Sequence, residues 1–158
     1  MLLLNDTPID VKKFPNGETE LSGRAISKLA KEENVIKLRF ESDFDLMNLL
    51  FVKSHLDSLP HVKEVSLAMP YVPYSRMDRT EGIAVFTLKT VAKFINSMNF
   101  NRVIVFEAHS DVTLALIDRV ECMYMYQTAM IDEVMAQVDF DKEKDFLFYP
   151  DAGAEKRY

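Results

Sequence analysis

The stretch VSLAMPYVPYSRMDR, Val65 to Arg79, decides how this chain is read. Residues 65–69 form a short apolar run with the pattern of a covered strand, and Pro70 ends it. The loop that follows, 70–82, carries Arg76, Asp78 and Arg79 within four positions. Strand exits of this kind are where open α/β sheets bind ligands, and charge this dense points to an anionic ligand with a metal nearby. Two later stretches end alike: VIVFEAHS, 103–110, releases His109, and FLFYPDAG, 146–153, releases Asp151. Three polar strand ends are therefore expected along one edge of one sheet.

Working outward, residues 44–59 place Leu46, Leu49, Leu50, Lys53 and Leu56 at helical steps, with Ser42 or Asp43 as cap and Pro60 as stop. Residues 85–98 predict a second helix, with Phe86, Leu88, Val91, Phe94 and Ile95 on its apolar side. Upstream, 35–40 alternates as a strand with one wet face. Before it lie short extended pieces at 2–4, 11–14 and 18–21, punctuated by Pro8, Pro15 and the turn pair Asn16-Gly17. These read as an antiparallel N-terminal ribbon. Downstream, 103–106, 122–126 and 146–149 read as strands and 131–138 as a short helix. The alternation predicts an α/β fold, a mostly parallel sheet sandwiched by helices and joined by right-handed crossovers.

Composition narrows the function. A chain of 158 residues, 48% hydrophobic, can bury one full core and reads as a single domain over 1–158. The net charge of −6 argues against broad contact with nucleic acid, which needs a basic surface. Cys122 is the sole cysteine, so no internal disulfide forms and a reducing cytoplasm is the expected setting. The apolar start, Met1 to Leu4, is too short for a signal peptide, and no apolar run approaches the ~20 residues of a membrane helix.

The candidate chemistry sits in the loops. His109, beside Glu107, Ser110 and Asp111, would put an imidazole and carboxylates where a divalent ion can bind, and Asp151 would complete the set. Equally, His109 can be a satisfied loop histidine and Asp151 a turn residue before Gly153. Asp151-Ala-Gly-Ala with Lys156 and Arg157 can offer backbone amides to phosphate, or be an ordinary turn. No GxxxxGK[ST] and no GxGxxG is present, and no serine or cysteine has an evident base. Phe14 to Glu18 is a hairpin turn whose Phe14 can also stack on a purine while Asn16 and Glu18 offer hydrogen bonds. His55 and His61, flanking a helix end, read as surface residues.

Four segments in order, KKFPNGE (12–18), PYVPYSRMDR (70–79), FEAHS (106–110) and YPDAGAEKR (149–157), resemble the amino-terminal half of ribose-phosphate diphosphokinase, or phosphoribosyl pyrophosphate synthetase. The resemblance spans nearly the whole chain and implies a phosphoribosyltransferase-like fold. In that family ATP gives its β,γ-diphosphate to ribose 5-phosphate, with magnesium essential. By resemblance, Phe14, Asn16, Glu18, Arg76, Asp78, Glu81 and His109 would bind ATP. His109 and Asp151 match the positions associated with magnesium. The hairpin of Phe14 usually reaches the adenine of a neighbouring subunit, which implies a homo-oligomer. Met77 stands where the family commonly has glutamine, and Glu81 matches a nearby acidic residue in a loop one residue shorter.

The family's acidic ribose-phosphate loop and its lysine-arginine arm do not occur before Tyr158, so the expectation is an ATP-binding half with the second domain absent and no activity alone. Two other readings stand beside it. One is a regulatory half-domain that occupies a subunit interface, favoured by Met77. The other is a phosphoribosyltransferase, which leaves the Phe14 hairpin and the Arg76 loop unexplained.

Overall fold

The computed structural model describes residues 1–106, 108–123, 125–141, 143–146 and 148. Its first strands, β1 (Leu2–Leu4) and β2 (Thr7–Pro8), form a hairpin whose loop residues Asn5 and Asp6 have φ of 50° and 68°. Positive φ at both turn positions matches the twist of paired strands, and Asn and Asp tolerate it best after glycine. Pro8 sits on a sheet edge, where its missing N–H removes no ladder bond. A second hairpin, β3 (Val11–Lys13) with β4 (Thr19–Leu21), stays apart from the main sheet. It is closed by Gly17 N–H donating to Phe14 O at 2.8 Å, with Gly17 at φ +89°, a conformation that suits glycine.

Then follow α1 (Gly23–Leu29), β5 (Glu33–Leu38), α2 (Asp43–Asp57), β6 (Glu64–Met69), α3 (Thr87–Ser97), β7 (Val103–Val105), α4 (Asp111–Leu116), β8 (Val120–Cys122) and α5 (Met125–Gln137). Among the described residues the main sheet has six strands, in the order β2-β1-β5-β6-β7-β8. β5 to β8 are parallel, and β1 lies antiparallel on β5 with Leu3 opposite Lys37. The expected mixed α/β sheet flanked by helices is present. The early ribbon is divided: β1 and β2 extend the main sheet, because Leu2 and Leu4 are buried beside Ile36 and Leu38, and only β3 and β4 form a separate pair.

Hydrophobic burial explains the centre. In β6, Val65, Leu67, Ala68 and Met69 are at most 3% exposed, so both faces are covered, as a continuous apolar run requires. In β5 burial alternates, with Asn34, Ile36 and Leu38 inside and Lys37 outside, paired with Asp6. Helix α2 is capped by Ser42, and the Asp45 carboxylate accepts the N–H groups of Glu41 (2.9 Å) and Ser42 (3.0 Å), closing otherwise orphaned donors.

Two helices were not visible in the sequence, α1 and α4, of seven and six residues. Each is too short for a 3.6-residue period to repeat. The strand expected at 122–126 is a correction: β8 ends at Cys122, fixed by its register with Val105, and α5 begins at Met125. A run of Met and Tyr cannot distinguish strand from helix by composition. The helix expected at 131–138 is the latter part of α5. The strand expected at 146–149 includes Leu147 and Tyr149, which with Asp151 lie outside the described residues.

The chain divides into two compact units, Met1–Tyr124 and Met125–Tyr158. The first contains the sheet and its core. The second opens with α5, and in it Asp141 N–H donates to Asp145 Oδ2 at 2.8 Å. Among the described residues no helix is long and apolar enough to cross a membrane.

Candidate functional site

Strands β6 and β7 are neighbours in register, Met69 opposite Val105, and Phe106 N–H donates to Met69 O at 3.2 Å. Their carboxyl ends therefore stop at one level, and the loops they release begin side by side. That alignment brings residues 76–81 toward His109, which are separated by about thirty positions of chain.

The loop after β6 is fixed by alternate anchors. Val72 and Ser75 are fully buried and Asp78 is 6% exposed, while Arg76, Met77 and Arg79 face outward. Backbone turns hold this alternation: Ser75 N–H to Val72 O at 3.3 Å and Met77 N–H to Tyr74 O at 3.1 Å. Leu88 N–H then donates to Met77 O at 3.3 Å, tying the loop to the start of α3. Tyr74 ties it to α2, its hydroxyl donating to the Asp43 carboxylate and its ring 6.0 Å from that of Phe40.

Arg76, Met77, Asp78, Arg79, Glu81, Ala84 and His109 line an open cleft of about 440 Å³. Inside it the charges are unevenly committed. Arg79 Nε donates to Asp78 Oδ1 at 2.9 Å and stands 3.6 Å from Glu81 Oε1. Arg76 is exposed and has no ion pair among the described residues. The Ser110 hydroxyl and then the Arg79 guanidinium hold the Asp78 carboxyl below the ordinary carboxylate range, with His109 a smaller electrostatic contributor. Burial acts the other way and is outweighed by these contacts. The Ser110 oxygen is itself buried beside Asp78.

Four of the expected residues thus meet: Arg76, Asp78, Glu81 and His109. The hairpin residues do not join them. Asn16 Oδ1 accepts Glu18 N–H at 3.2 Å within its own turn, and Glu18 lines a different hollow with Gly17, Thr19, Phe44, Met47 and Phe51. The hairpin is bound to α2 through Thr19 Oγ1 to Asn48 Oδ1 at 2.8 Å and Lys13 Nζ lying 4.0 Å from the Phe44 ring centre. Phe14 is 48% exposed.

Asp151 lies outside the described residues, and among those described no group of three His, Cys, Asp or Glu side chains stands close enough to hold a metal. The cleft's two carboxylates, Asp78 and Glu81, are already turned to Arg79. The described residues fit only a cation that arrives with its own oxygen ligands, as magnesium on phosphates does.

Three participants were not named as ligand contacts from the sequence: Met77 and Arg79, read only as a departure from the family pattern and as part of the charged loop, and Ser110 behind Asp78. Arg79 was visible as charge but its pairing was not, and Ser110 became legible only as the cap of the unanticipated α4. His55 is another departure from expectation. It is half-buried, with Nε2 2.9 Å from Ser27 Oγ, and packs α1 on α2 where Gly23 leaves room for its ring.

No model of a known protein family matches the chain. Ribose-phosphate pyrophosphokinase of Saccharolobus solfataricus is 25% identical over 154 residues, covering 94% of this chain and 50% of that enzyme. The enzyme of the same name from Fusobacterium nucleatum is 22% identical over 151 residues, covering 94% of this chain and 46% of its own length. The chain thus spans about half the length of the curated relatives it matches. The crystal structure of phosphoribosylpyrophosphate synthetase from Mycobacterium smegmatis shares the fold, with a TM-score of 0.61 and 19% identity over 84% of this chain and 45% of that one. In sequence along nearly its whole length, and in fold, the chain is similar to the amino-terminal half of ribose-phosphate pyrophosphokinase.

Proposed function

We propose that this chain is the ATP-binding half of a ribose-phosphate diphosphokinase, acting in the cytoplasm in nucleotide biosynthesis. The observation that carries the reading is Arg76, an exposed guanidinium without an ion pair among the described residues, standing beside Arg79 and His109 at the paired ends of β6 and β7. An uncommitted guanidinium in a cleft is a ready partner for phosphate oxygens, which it can grip through two parallel N–H donors. The relatives' names supply the rest: transfer of a diphosphate group to a ribose phosphate.

In the reaction so assigned, the anomeric hydroxyl oxygen of ribose 5-phosphate bonds to the β-phosphorus of ATP. The bond from that phosphorus to the oxygen bridging to the α-phosphate breaks, AMP leaves with the oxygen, and the hydroxyl proton passes to solvent. No enzyme residue is covalently modified. Magnesium, carried on the phosphates with His109 and Asp151 as its candidate protein neighbours, would neutralise their charge. The part of this chain is to orient the nucleotide through Arg76.

The hairpin enters through a second copy. Phe44, Met47 and Phe51 are each between 42% and 49% exposed and lie together where the β3–β4 hairpin meets α2. An apolar face of that kind is the expected seat of a homo-oligomer. There Phe14, Asn16 and Glu18 would be offered to the nucleotide of the neighbour.

A second reading is a regulatory half-domain that binds nucleotide without turning it over. Met77 favours it, being 38% exposed in a cleft whose other walls are mostly charged.

The test is calorimetric titration with magnesium-ATP of the chain and of Arg76→Ala. Binding that weakens about tenfold in the variant is expected, the loss of a charge-assisted contact. Absence of binding to the unaltered chain would overturn the proposal. A changed turnover of a complete synthetase on adding the chain would move the conclusion to the regulatory reading.

A further inference from the structure

The two arginines of the cleft are held differently, and this assigns Asp78 a role that lining the cleft does not. Arginine has two usable edges, Nε–H on one side and the paired Nη groups at the tip. Arg79 spends its Nε on Asp78 Oδ1 at 2.9 Å, with Glu81 Oε1 3.6 Å away, while among the described residues no hydrogen bond uses its Nη atoms. Asp78 is 6% exposed and Arg79 70% exposed. The carboxylate is thus a fixed point in the wall, and the guanidinium pivots outward from it.

We propose that Asp78 is a positioning residue: it takes the Nε edge of Arg79 and aims the Nη fork into the cleft, so that Arg79 and Arg76 together clasp a polyphosphate. The inference rests on the phosphate-binding reading above. It separates the acidic residues of the loop from direct ligand contact, which like-charge repulsion already disfavours. A carboxylate facing a triphosphate repels it, whereas one behind an arginine orients the attractive charge and limits the side chain's freedom. The same geometry explains why charge alone does not suffice at 79. A lysine has a single nitrogen, which can sit on Asp78 or reach the anion but cannot bridge both at fixed angles.

The experiment uses the whole chain and inorganic tripolyphosphate as probe, with Arg79→Lys, Asp78→Asn and the double variant titrated calorimetrically. The expected result is about tenfold weaker binding for Arg79→Lys, several-fold for Asp78→Asn, and a double variant no weaker than Arg79→Lys, because Asp78 then has nothing to aim. Arg79→Lys binding like the unaltered chain, Asp78→Asn binding more tightly, or independent losses that multiply would each overturn the inference. A ligand-free readout stands beside it: the Nε–H resonance of Arg79 should exchange slowly with solvent and lose that protection in Asp78→Asn. Fast exchange in the unaltered chain would overturn the positioning role while leaving the Arg76 site intact. Failure of the unaltered chain to bind tripolyphosphate at millimolar concentration would remove the site and this inference with it.

Discussion

Asp78 and Arg79 are consecutive in the chain yet differ in exposure by a factor of more than ten, 6% against 70%, while their Oδ1 and Nε atoms face each other at 2.9 Å. A buried acid beside an exposed base makes one side of the pair rigid and the other available. The pair also joins two strand ends, because Asp78 sits against Ser110 at the start of α4.

The first consequence is a pH dependence. The Ser110 hydroxyl and the Arg79 guanidinium lower the Asp78 pKa in the folded chain, below an unfolded value of about 3.9. On acidification the unfolded state therefore takes up this proton first. The stability Asp78 contributes is fully present above the unfolded pKa and is lost as pH falls through the folded one. Thermal melts below about pH 4 should fall more steeply for the unaltered chain than for Asp78→Asn. Parallel curves would remove Asp78 from the acid sensitivity of the fold.

Arg76→Ala should separate binding from stability. Its side chain fills no core space, so the melting temperature should stay within a degree or two, as surface substitutions do, while nucleotide affinity falls about tenfold. A variant that unfolds but, where folded, binds as before would show that Arg76 serves the loop instead of the ligand.

Lys53 is almost fully buried, its Nζ bonded to both Asp57 oxygens at 2.6 Å and 5.4 Å from the Phe100 ring centre. Removing only the acid strands a buried ammonium. Asp57→Ala should cost about 1–3 kcal/mol in urea denaturation, less than a wholly buried pair because Asp57 is half exposed, and Lys53→Met, which removes the charge, should cost less. The reverse order would mean that the methylene packing of Lys53 outweighs its charge.

The apolar face at Phe44, Met47 and Phe51 should bury itself in a second copy. Sedimentation should show a dimer or larger assembly, and Phe51→Glu should shift it toward monomer without a large change in melting temperature, since the side chain is 43% exposed within the protomer. A chain already monomeric at assay concentration would deny that this face is a self-interface.

Local chemistry was legible directly. Pro60 stopped α2 and Asn16-Gly17 turned the Phe14 hairpin, as expected of residues whose backbone preferences need no partner. The apolar run 65–69 announced the central strand because burial on both faces removes the polar alternation. Arg76, Asp78 and Arg79 were recognisable as a charged loop cluster because they lie within four positions, and Glu81 was named only through the resemblance.

What depends on distant pairing was not legible. That β1 extends the main sheet while β3 and β4 stand alone follows from the register of Leu3 with Lys37, and that β8 stops at Cys122 follows from Val105. The chain by itself determined the α/β class, the order of its main elements and which loop carries the charges, since period, turn residues and charge spacing act over a few positions. Only the tertiary structure decided that His109 and Ser110 stand against Asp78, that the hairpin of Phe14 packs on α2, and that among the described residues Arg76 has no ion pair while Arg79 is held. The first depends on Met69 stopping level with Val105, a hydrogen-bonded register between strands, and the others on side-chain pairings that no local propensity encodes.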